Sequence, residues 1–425
     1  MSASDPNPPR LPLAGLRVLA VEQYGAGPCG THYLAELGAE VVKVENHRDG
    51  GDVGREIGPH FFGPHDSHFF QTFNRNKKSI ALDLRDPAGY QAFLSLVART
   101  DAVLDNLRGD LPASLGLTYE ALKGANPRVV CAHLSAYGRE GSRRAWPGYD
   151  YLMQAEAGHL SLTGEPDSPP IRYGLSIVDL MTGLAAAFGL LAGVLSARDI
   201  GKGMDIDTSL FDVALHNLNY PATWYLNGGV VTGRTERSSH PSLTPSQLYR
   251  TADGWIFIMC NKEKFWVALA RALGRDQWLA DPDLATFALR LRHRARLTRM
   301  LDAVLMEQTT SHWVRRLEGT VPVAPVLDIA EALDNPFVRE RGNLVDYERP
   351  DGRSVRMVAS PIRVPGAESP TRAAPAMGEH TVSILRAAGL PDEQIAVLQA
   401  RGVIFGGTEP EGPEPEASGT LHGSS

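Results

Sequence analysis

The sequence predicts an α/β fold, a parallel sheet covered by helices, followed by a second, smaller domain. Three observations carry this. Short apolar runs alternate with helix-like stretches from Leu16 to Gly138, the pattern of a helix-covered parallel sheet. The first run, "LRVLAV", leads directly into the glycine-rich turn "YGAGPCG", a strand-to-helix connection. Near Asn227 the composition then shifts to Gly, Ser, Thr and turn residues.

The elements follow in order. After the first strand, "GTHYLAELGAE" reads as a helix stopping near Gly38 and "VVKVE" (Val41 to Glu45) as the next strand, a βαβ start. "SIALDL" is a strand, "PAGYQAFLSLVART" a helix, "DAVLDNL" a strand and "YEALKGANP" a helix, before the strand "VVCAHLSAYG". The uncharged run Leu180 to Ala197 is rich in Ala and Gly, which favours a buried, closely packed helix over a membrane span. "WIFIMC" and several Arg- and Leu-rich helices belong to the smaller domain, and "LVDYERPDGRSVRMVASPIRV" alternates like a hairpin turning at "PDGR". The expected domains are 1–224 (large domain, N-terminal part), 225–330 (small domain), 331–405 (return to the large domain) and a disordered acidic tail, 406–425. No internal repeat is present.

With 425 residues, 43% hydrophobic and 21% charged, the composition is that of a globular protein with a sizeable core. The formal charge is −7, but the tail holds four Glu and no Lys or Arg, leaving −3 elsewhere. No electrostatic case for nucleic acid follows. Cys29, Cys131 and Cys260 are too few and too scattered for a disulfide framework or a thiolate metal site, which suits a reducing cytoplasm. The N-terminal stretch has no apolar core of signal-peptide type.

Gly25, Gly27 and Gly30 match G-x-G-x-x-G, and Glu45 lies 20 residues beyond Gly25, as in a dinucleotide site where an acid holds a ribose hydroxyl. A tight strand-to-helix turn explains the same glycines, and Pro28 removes a backbone donor to phosphate. "FNRNKKSIALDL" places Arg75, Lys77 and Lys78 before a strand, either a solvated basic turn or a clamp on phosphate. His60, His65, His68 and Asp66 raise metal ligation, but their spacing fits no tight helical pair and their aromatic neighbours favour a packed loop. Asp150 and Asp179 stand in "GYDYLMQ" and "LSIVDLMTG". Asp179, just before the apolar helix, is a favoured N-cap. The same place keeps a carboxylate ionised and makes it a candidate nucleophile beside an acyl group.

The ordered set of "LAGLRVLAVEQYGAGPCGTHYLAELGAEVVKVE", "FNRNKKSIALDL", "GYDYLMQAEAGHLSLTGEPDSPPIRYGLSIVDLMTG", "HPSLTPSQLYRTADG" and "VPVAPVLDIAEALDNPFVRERG" resembles the class III (family III) CoA-transferases over residues 12 to 400. The resemblance implies a Rossmann-like large domain whose glycine turn holds the ADP part of coenzyme A, and an interlocked homodimer. It implies Asp179 as the nucleophile, passing through an aspartyl anhydride and an aspartyl-CoA thioester, with coenzyme A as substrate and no metal or tightly bound cofactor. Backbone N–H groups of the Gly25/Ala26 turn, or of the loop after the strand "CAHLSAYG", are the oxyanion donors expected for this chemistry. Phe73, Asn74, Arg75, Asn76, Lys77, Asn106 and Tyr137 fall in segments that contact CoA in the family.

In the racemase branch of this family a His precedes the Asp of the "GxD" segment; here it is Tyr149. A phenol with a reference pKa of about 10 is a poor partner for α-proton removal, which favours transfer over racemisation. Some members carry a Gln where this chain has Gly25 and a basic residue where it has Ser114. The glycine run of formyl-CoA transferase is replaced by "SSHPSLTPS", so oxalate is not favoured and His240 and Ser242 become substrate-loop candidates. Arg143, Arg144 and Arg172 are candidates for the second carboxylate of a dicarboxylic acceptor. The expected activity is CoA transfer from a donor thioester, succinyl-CoA being chosen for its cellular abundance, to a small carboxylic acid. A racemase and a nicotinamide oxidoreductase are the alternatives.

Overall fold

Apolar runs too short for helices become strands buried on both faces, and the helices between them cover the sheet. The computed structural model describes residues 10–349 and 352–406. They form two compact units: the larger comprises the described residues up to Met153, Ser176–Ala214 and Asn343 onward, and the smaller Gln154–Leu175 and Leu215–Gly342. The smaller unit thus takes in a segment ahead of 225, and the return to the larger begins at Asn343.

In the larger unit the chain runs β1 (Arg17–Val21), α1 (Ala26–Glu36), β2 (Glu40–Glu45), α2 (His68–Asn74), β3 (Lys78–Leu82), α3 (Pro87–Val97), β4 (Ala102–Asp105), β5 (Val130–Ser135), α4 (Ile177–Ile200) and β6 (Met204–Ser209). These six strands are parallel in the order β3-β2-β1-β4-β5-β6. The order reverses between β1 and β4, which opens a crevice at the carboxyl ends of the strands. The stretch read as the helix "YEALKGANP" is helical only over Tyr119–Leu122.

The smaller unit contains a three-stranded antiparallel sheet of β7 (Ser246–Arg250), β8 (Trp255–Met259) and β9 (Val323–Pro325), with β8 central. Helices α5 (Glu263–Ala272), α6 (Arg294–Leu305) and α7 (Thr310–Leu317) pack Trp266, Leu301 and Trp313 against Tyr249, Ile256 and Ile258. Back in the larger unit, β10 (Leu344–Glu348) and β11 (Ser354–Val358) pair antiparallel as the expected hairpin. Pro350 and Asp351 of its turn, and the tail from Gly407, lie outside the described residues. Helices α8 (Thr381–Ala387) and α9 (Asp392–Ala400) precede β12 (Ile404–Phe405), which pairs antiparallel with β3 as the seventh strand. Leu385, Leu398 and Val403 close the core over Ile80, Leu82 and Phe93.

Two glycines set the approach of α1 to α4. A Cβ on Gly30 would lie 2.4 Å from the Gly183 carbonyl oxygen, and one on Gly183 would lie 2.4 Å from that of Ala26. Both contacts are to backbone, so no side-chain adjustment relieves them. The apolar helix expected over Leu180–Ala197 is α4, among the described residues the one helix long and apolar enough to cross a membrane. Ala186, Leu190, Gly193 and Val194 are buried, but Phe188 is 77% exposed and Leu184 and Leu195 also face outward. The close packing expected of this helix is present on one face, and the other face is exposed in this chain.

Gly183→Ala is expected to destabilise the protein by about 1–3 kcal/mol through overpacking. Gly124→Ala, whose Cβ meets nothing within 4 Å, serves as control, with urea midpoints as the measurement.

Candidate active site

The site grows from charges that the strands carry inward. β2 reads Glu-Val-Val-Lys-Val-Glu, and Lys43 and Glu45 are both buried, so each needs a counter-charge. Lys43 Nζ lies 2.7 Å from Asp52 Oδ2 and donates to the Glu22 carbonyl at 2.9 Å. Asp52 and Glu22 hold the ammonium charged against the cost of burial, so its pKa rises. Burial pushes the Glu45 carboxyl up, yet two bonds from Arg55, at 2.7 and 2.8 Å, outweigh it and bring it to about 2. Glu45 is therefore committed to Arg55 and Ser79, which removes the acid that the nicotinamide reading assigned to a ribose.

Lys77 completes the set. Its Nζ donates to Glu22 Oε1 at 2.7 Å, to the Pro28 carbonyl at 3.0 Å and to Asn74 Oδ1 at 3.1 Å, and its side chain is buried. Arg75 is buried on Glu36 at 3.0 Å and lies over the Tyr347 ring, while Asn76 bonds Glu36 and the Arg372 backbone. The "NRNKK" cluster is thus neither a solvated turn nor an outward clamp: apart from partly exposed Lys78, its side chains bind internal groups. Phe73 meets Phe69 edge-on, and Phe69 packs on Tyr24.

Above this network sits the turn from Gln23 to Gly25. Asn106 brackets the Gln23 backbone, accepting its N–H at 2.9 Å and donating to its carbonyl at 2.6 Å. Asp52 accepts the Tyr24 N–H at 2.8 Å, which holds Tyr24 at a φ of 66°, a backbone region costly for a residue with a side chain. Gly25 is then the N-cap of α1, and a Cβ there would lie 2.9 Å from Asp179 Oδ2. The carboxylate occupies the space that a side chain at 25 would fill.

Asp179 is not the N-cap. Ser176 holds that position without a side-chain bond, and Asp179 lies in the first turn of α4. Asp150, buried at the start of the helix Asp150–Glu156, accepts the Asp179 N–H on Oδ2 at 2.9 Å. Asp179 itself is 6% exposed. Burial first, and the Asp150 carboxylate second, raise it to about 7. The expectation that the helix end keeps it fully ionised gives way because two desolvating helices and a second acid outweigh the helix dipole. Tyr149 is 61% exposed and meets the Tyr24 ring edge-on.

A cleft of about 350 Å³ opens at the carboxyl ends of β1, β2 and β3. Gln23, Asn46 and Ser114 line it with polar groups, Arg85 and the carboxyl-bearing Glu22, Glu45, Asp49, Asp52 and Asp83 with charged ones, and Leu82, Leu84, Leu107, Leu111 and Leu115 with apolar walls. The Gln23–Gly25 turn therefore borders the cleft with its first residue and Asp179 with its last. Arg85, which the sequence reading passed over, pairs with Asp49 at 3.2 Å with most of its side chain exposed; its signal was position, three residues after the end of β3.

Other candidates lie elsewhere. Tyr137 packs against Trp146 and Phe211 with Arg143 over its ring. Arg144 has its carbonyl close to Gly109. In the smaller unit Ser242 donates its N–H to His240 Nδ1 at 3.1 Å, and Arg172 bonds the Tyr173 and Gly174 carbonyls. In the larger unit His68 stacks on Phe62, and His65 pairs with Glu56.

Asp179 carries a stability cost with a definite sign. Its folded value of about 7 exceeds the unfolded value of about 3.9, so the folded state binds the proton more tightly. The penalty is absent below about pH 4, grows to pH 7 and is then complete, at most about 4 kcal/mol. Asp179→Asn is expected to be more stable than the parent at pH 8, with the gap closing towards pH 4, as read from urea unfolding at both.

Comparison with known proteins identifies the family. The model described as CoA-transferase family III matches residues 13–381. A succinate–glutarate CoA-transferase of Agrobacterium fabrum is 31% identical over 391 residues, 88% of this chain and 95% of that protein. A succinyl-CoA:mesaconate CoA-transferase of Haloarcula hispanica is 33% identical over 389 residues, 89% and 96% of the two chains. The crystal structure of a CAIB/BAIF family protein from Brucella suis, 30% identical, aligns with a TM-score of 0.77 over 89% of this chain and 100% of that one. The nicotinamide alternative is thereby corrected: the chain belongs to CoA-transferase family III and is a CoA-transferase.

Proposed function

We propose that the protein moves CoA from a donor thioester, succinyl-CoA foremost, to a small dicarboxylic acid, with Asp179 as nucleophile. The observation that carries this reading is the buried Asp179 carboxylate, raised to about 7 and set against Gly25 where no side chain blocks its approach to an acyl carbon. A carboxylate of that basicity is largely ionised just above neutrality and more nucleophilic than an ordinary one.

The steps balance without an external energy source. An Asp179 oxygen attacks the thioester carbonyl, the C–S bond breaks and CoA thiolate leaves, giving a mixed anhydride. The thiolate attacks the Asp179 carbonyl and expels the donor acid as its carboxylate. The acceptor carboxylate attacks the resulting aspartyl thioester, the C–S bond breaks and the departing thiolate leaves a second mixed anhydride, and that thiolate then attacks the acceptor's carbonyl, forming the new acyl-CoA and releasing Asp179 as its carboxylate. The N–H groups of Gly25 and Ala26, at the start of α1, have no partner within the helix and serve the developing oxyanions.

The nucleotide of CoA belongs in the cleft of the Rossmann-like crevice, with Arg85 for phosphate and Asn46 and Ser114 on the walls, and the pantetheine arm passes the Gln23–Gly25 turn. On this reading Phe73, Asn74, Lys77 and Asn106 support that turn and the start of α1, Arg75 and Asn76 hold Glu36 at the end of α1, and Tyr137, His240 and Ser242 stay as binding candidates. Dicarboxylate acceptors are favoured by the names of the relatives, which specify glutarate and mesaconate. Racemisation is disfavoured by Tyr149, an exposed phenol where a proton carrier would be needed. A second copy of the chain covers the outward face of α4, whose Leu184, Phe188 and Leu195 form an apolar stripe. Three free, buried cysteines suit the cytoplasm.

Intact-mass analysis after mixing with succinyl-CoA and trapping with hydroxylamine or borohydride is expected to give a covalent adduct that maps to Asp179 and is missing in Asp179→Ala. Deuterium exchange at the α-carbon with no adduct would move the protein to the racemase branch. Phe188→Glu is expected to lower the Tm of the dimer, since threaded chains cannot separate while folded; an unchanged Tm with the dimer intact in sedimentation would rule out this face.

A further inference from the structure

We propose that Asp150 is a positioning residue for Asp179: its carboxylate fixes the first turn of α4 and presents a second acid to the nucleophile. This rests on the assignment of Asp179 above, but the contact itself is a property of the fold. The N-terminus of α4 lacks the usual device, since Ser176 makes no side-chain cap. The missing acceptor arrives from 29 residues upstream, where Asp150 Oδ2 takes the Asp179 N–H at 2.9 Å. One bond therefore anchors the backbone of the turn from which the Asp179 side chain extends.

A cap alone does not require an acid. Ser, Thr or Asn would accept the same N–H, and a carboxylate in a desolvated site beside another carboxylate is costly. The cost acquires a use if the first acid is to stay basic. The groups facing Asp179 from the packed elements are few. Cys29 on α1 is a thiol that burial drives up to about 12, with Lys77 and Glu22 behind it, and Tyr24 on the preceding turn is a phenol raised by burial and then by Asp179. Both are neutral at working pH. From its own side Asp179 meets Asp150, flanked by Tyr149 and Tyr151. Asp150 is thus the charge that acts directly on Asp179, raising it in addition to burial.

The two roles separate by substitution. Asp150→Asn keeps an acceptor oxygen for the Asp179 N–H and removes the charge; Asp150→Ala removes both. The readouts are the pH profile of adduct formation from succinyl-CoA, and the titration of Asp179 by ¹³C-carboxyl NMR of Asp-labelled protein, assigned by difference from Asp179→Asn. In Asp150→Asn the NMR midpoint and the acid limb of the profile are expected to move down together by about one pH unit, with the plateau rate reduced a few-fold and Tm preserved. In Asp150→Ala the midpoint moves down as well, but the plateau falls by more than tenfold. An unchanged midpoint in Asp150→Asn would overturn the proposal and leave Asp150 a structural cap. Because the NMR titration needs no turnover, a shifted midpoint without any adduct in the parent protein would count against Asp179 as nucleophile and not against the pairing.

Discussion

Six buried charges under one turn are what the rest of the larger unit is arranged around. Glu22, Glu45 and Asp52 face Lys43, Arg55 and Lys77 with no net charge left over. Such a network gains little over an apolar core in free energy, but losing one member leaves a charge stranded at about 3–5 kcal/mol. Its value lies in geometry. Asp52 serves both Lys43 and the Tyr24 N–H, so the ion pairs and the left-handed turn are one construction. Gly25 follows from that turn, and the space for Asp179 follows from Gly25.

How much of this was legible in the sequence depended on whether a residue's role was local. The strands β1 to β5 declare themselves as apolar runs, and the hairpin of β10 and β11 as an alternation. β6 does not, because Met204–Ser209 alternates Asp with partly buried residues and is held by partners far away: Asp205 contacts His133 of β5 and Arg139, and Asp207 contacts Arg139. The basic run at Arg75 to Lys78 looked like a ligand surface because its counter-charges, Glu22, Glu36 and Glu40, lie 38 to 55 residues upstream. Lys43 and Glu45 in an otherwise apolar strand were the visible hint that inward charges needed partners. Asp179 was recognisable by its place before an apolar helix, but its cap was not, since nothing in "GYDY" says that Asp150 will reach the first turn of α4.

The division of labour across the Gln23–Gly25 turn suits a large, two-part substrate. A cleft with leucine walls and a rim of charged and polar groups lies on one side, and a buried carboxylate on the other. On the proposed function, binding energy from a nucleotide in the cleft would serve to hold a thioester against Asp179 in a fixed orientation. Pro28 fits this division. In a phosphate-binding turn its missing N–H is a loss, but here its carbonyl receives Lys77 and its neighbours Ala26 and Gly27 retain their donors.

The larger unit is assembled from three stretches of chain, and the last of them supplies β12, α8 and α9. During synthesis β3 therefore emerges with one edge bare and with Ile80 and Leu82 uncovered until more than 300 further residues have followed. An open strand edge flanked by apolar side chains is a site for wrong pairing, and closing it late in sequence makes folding slow.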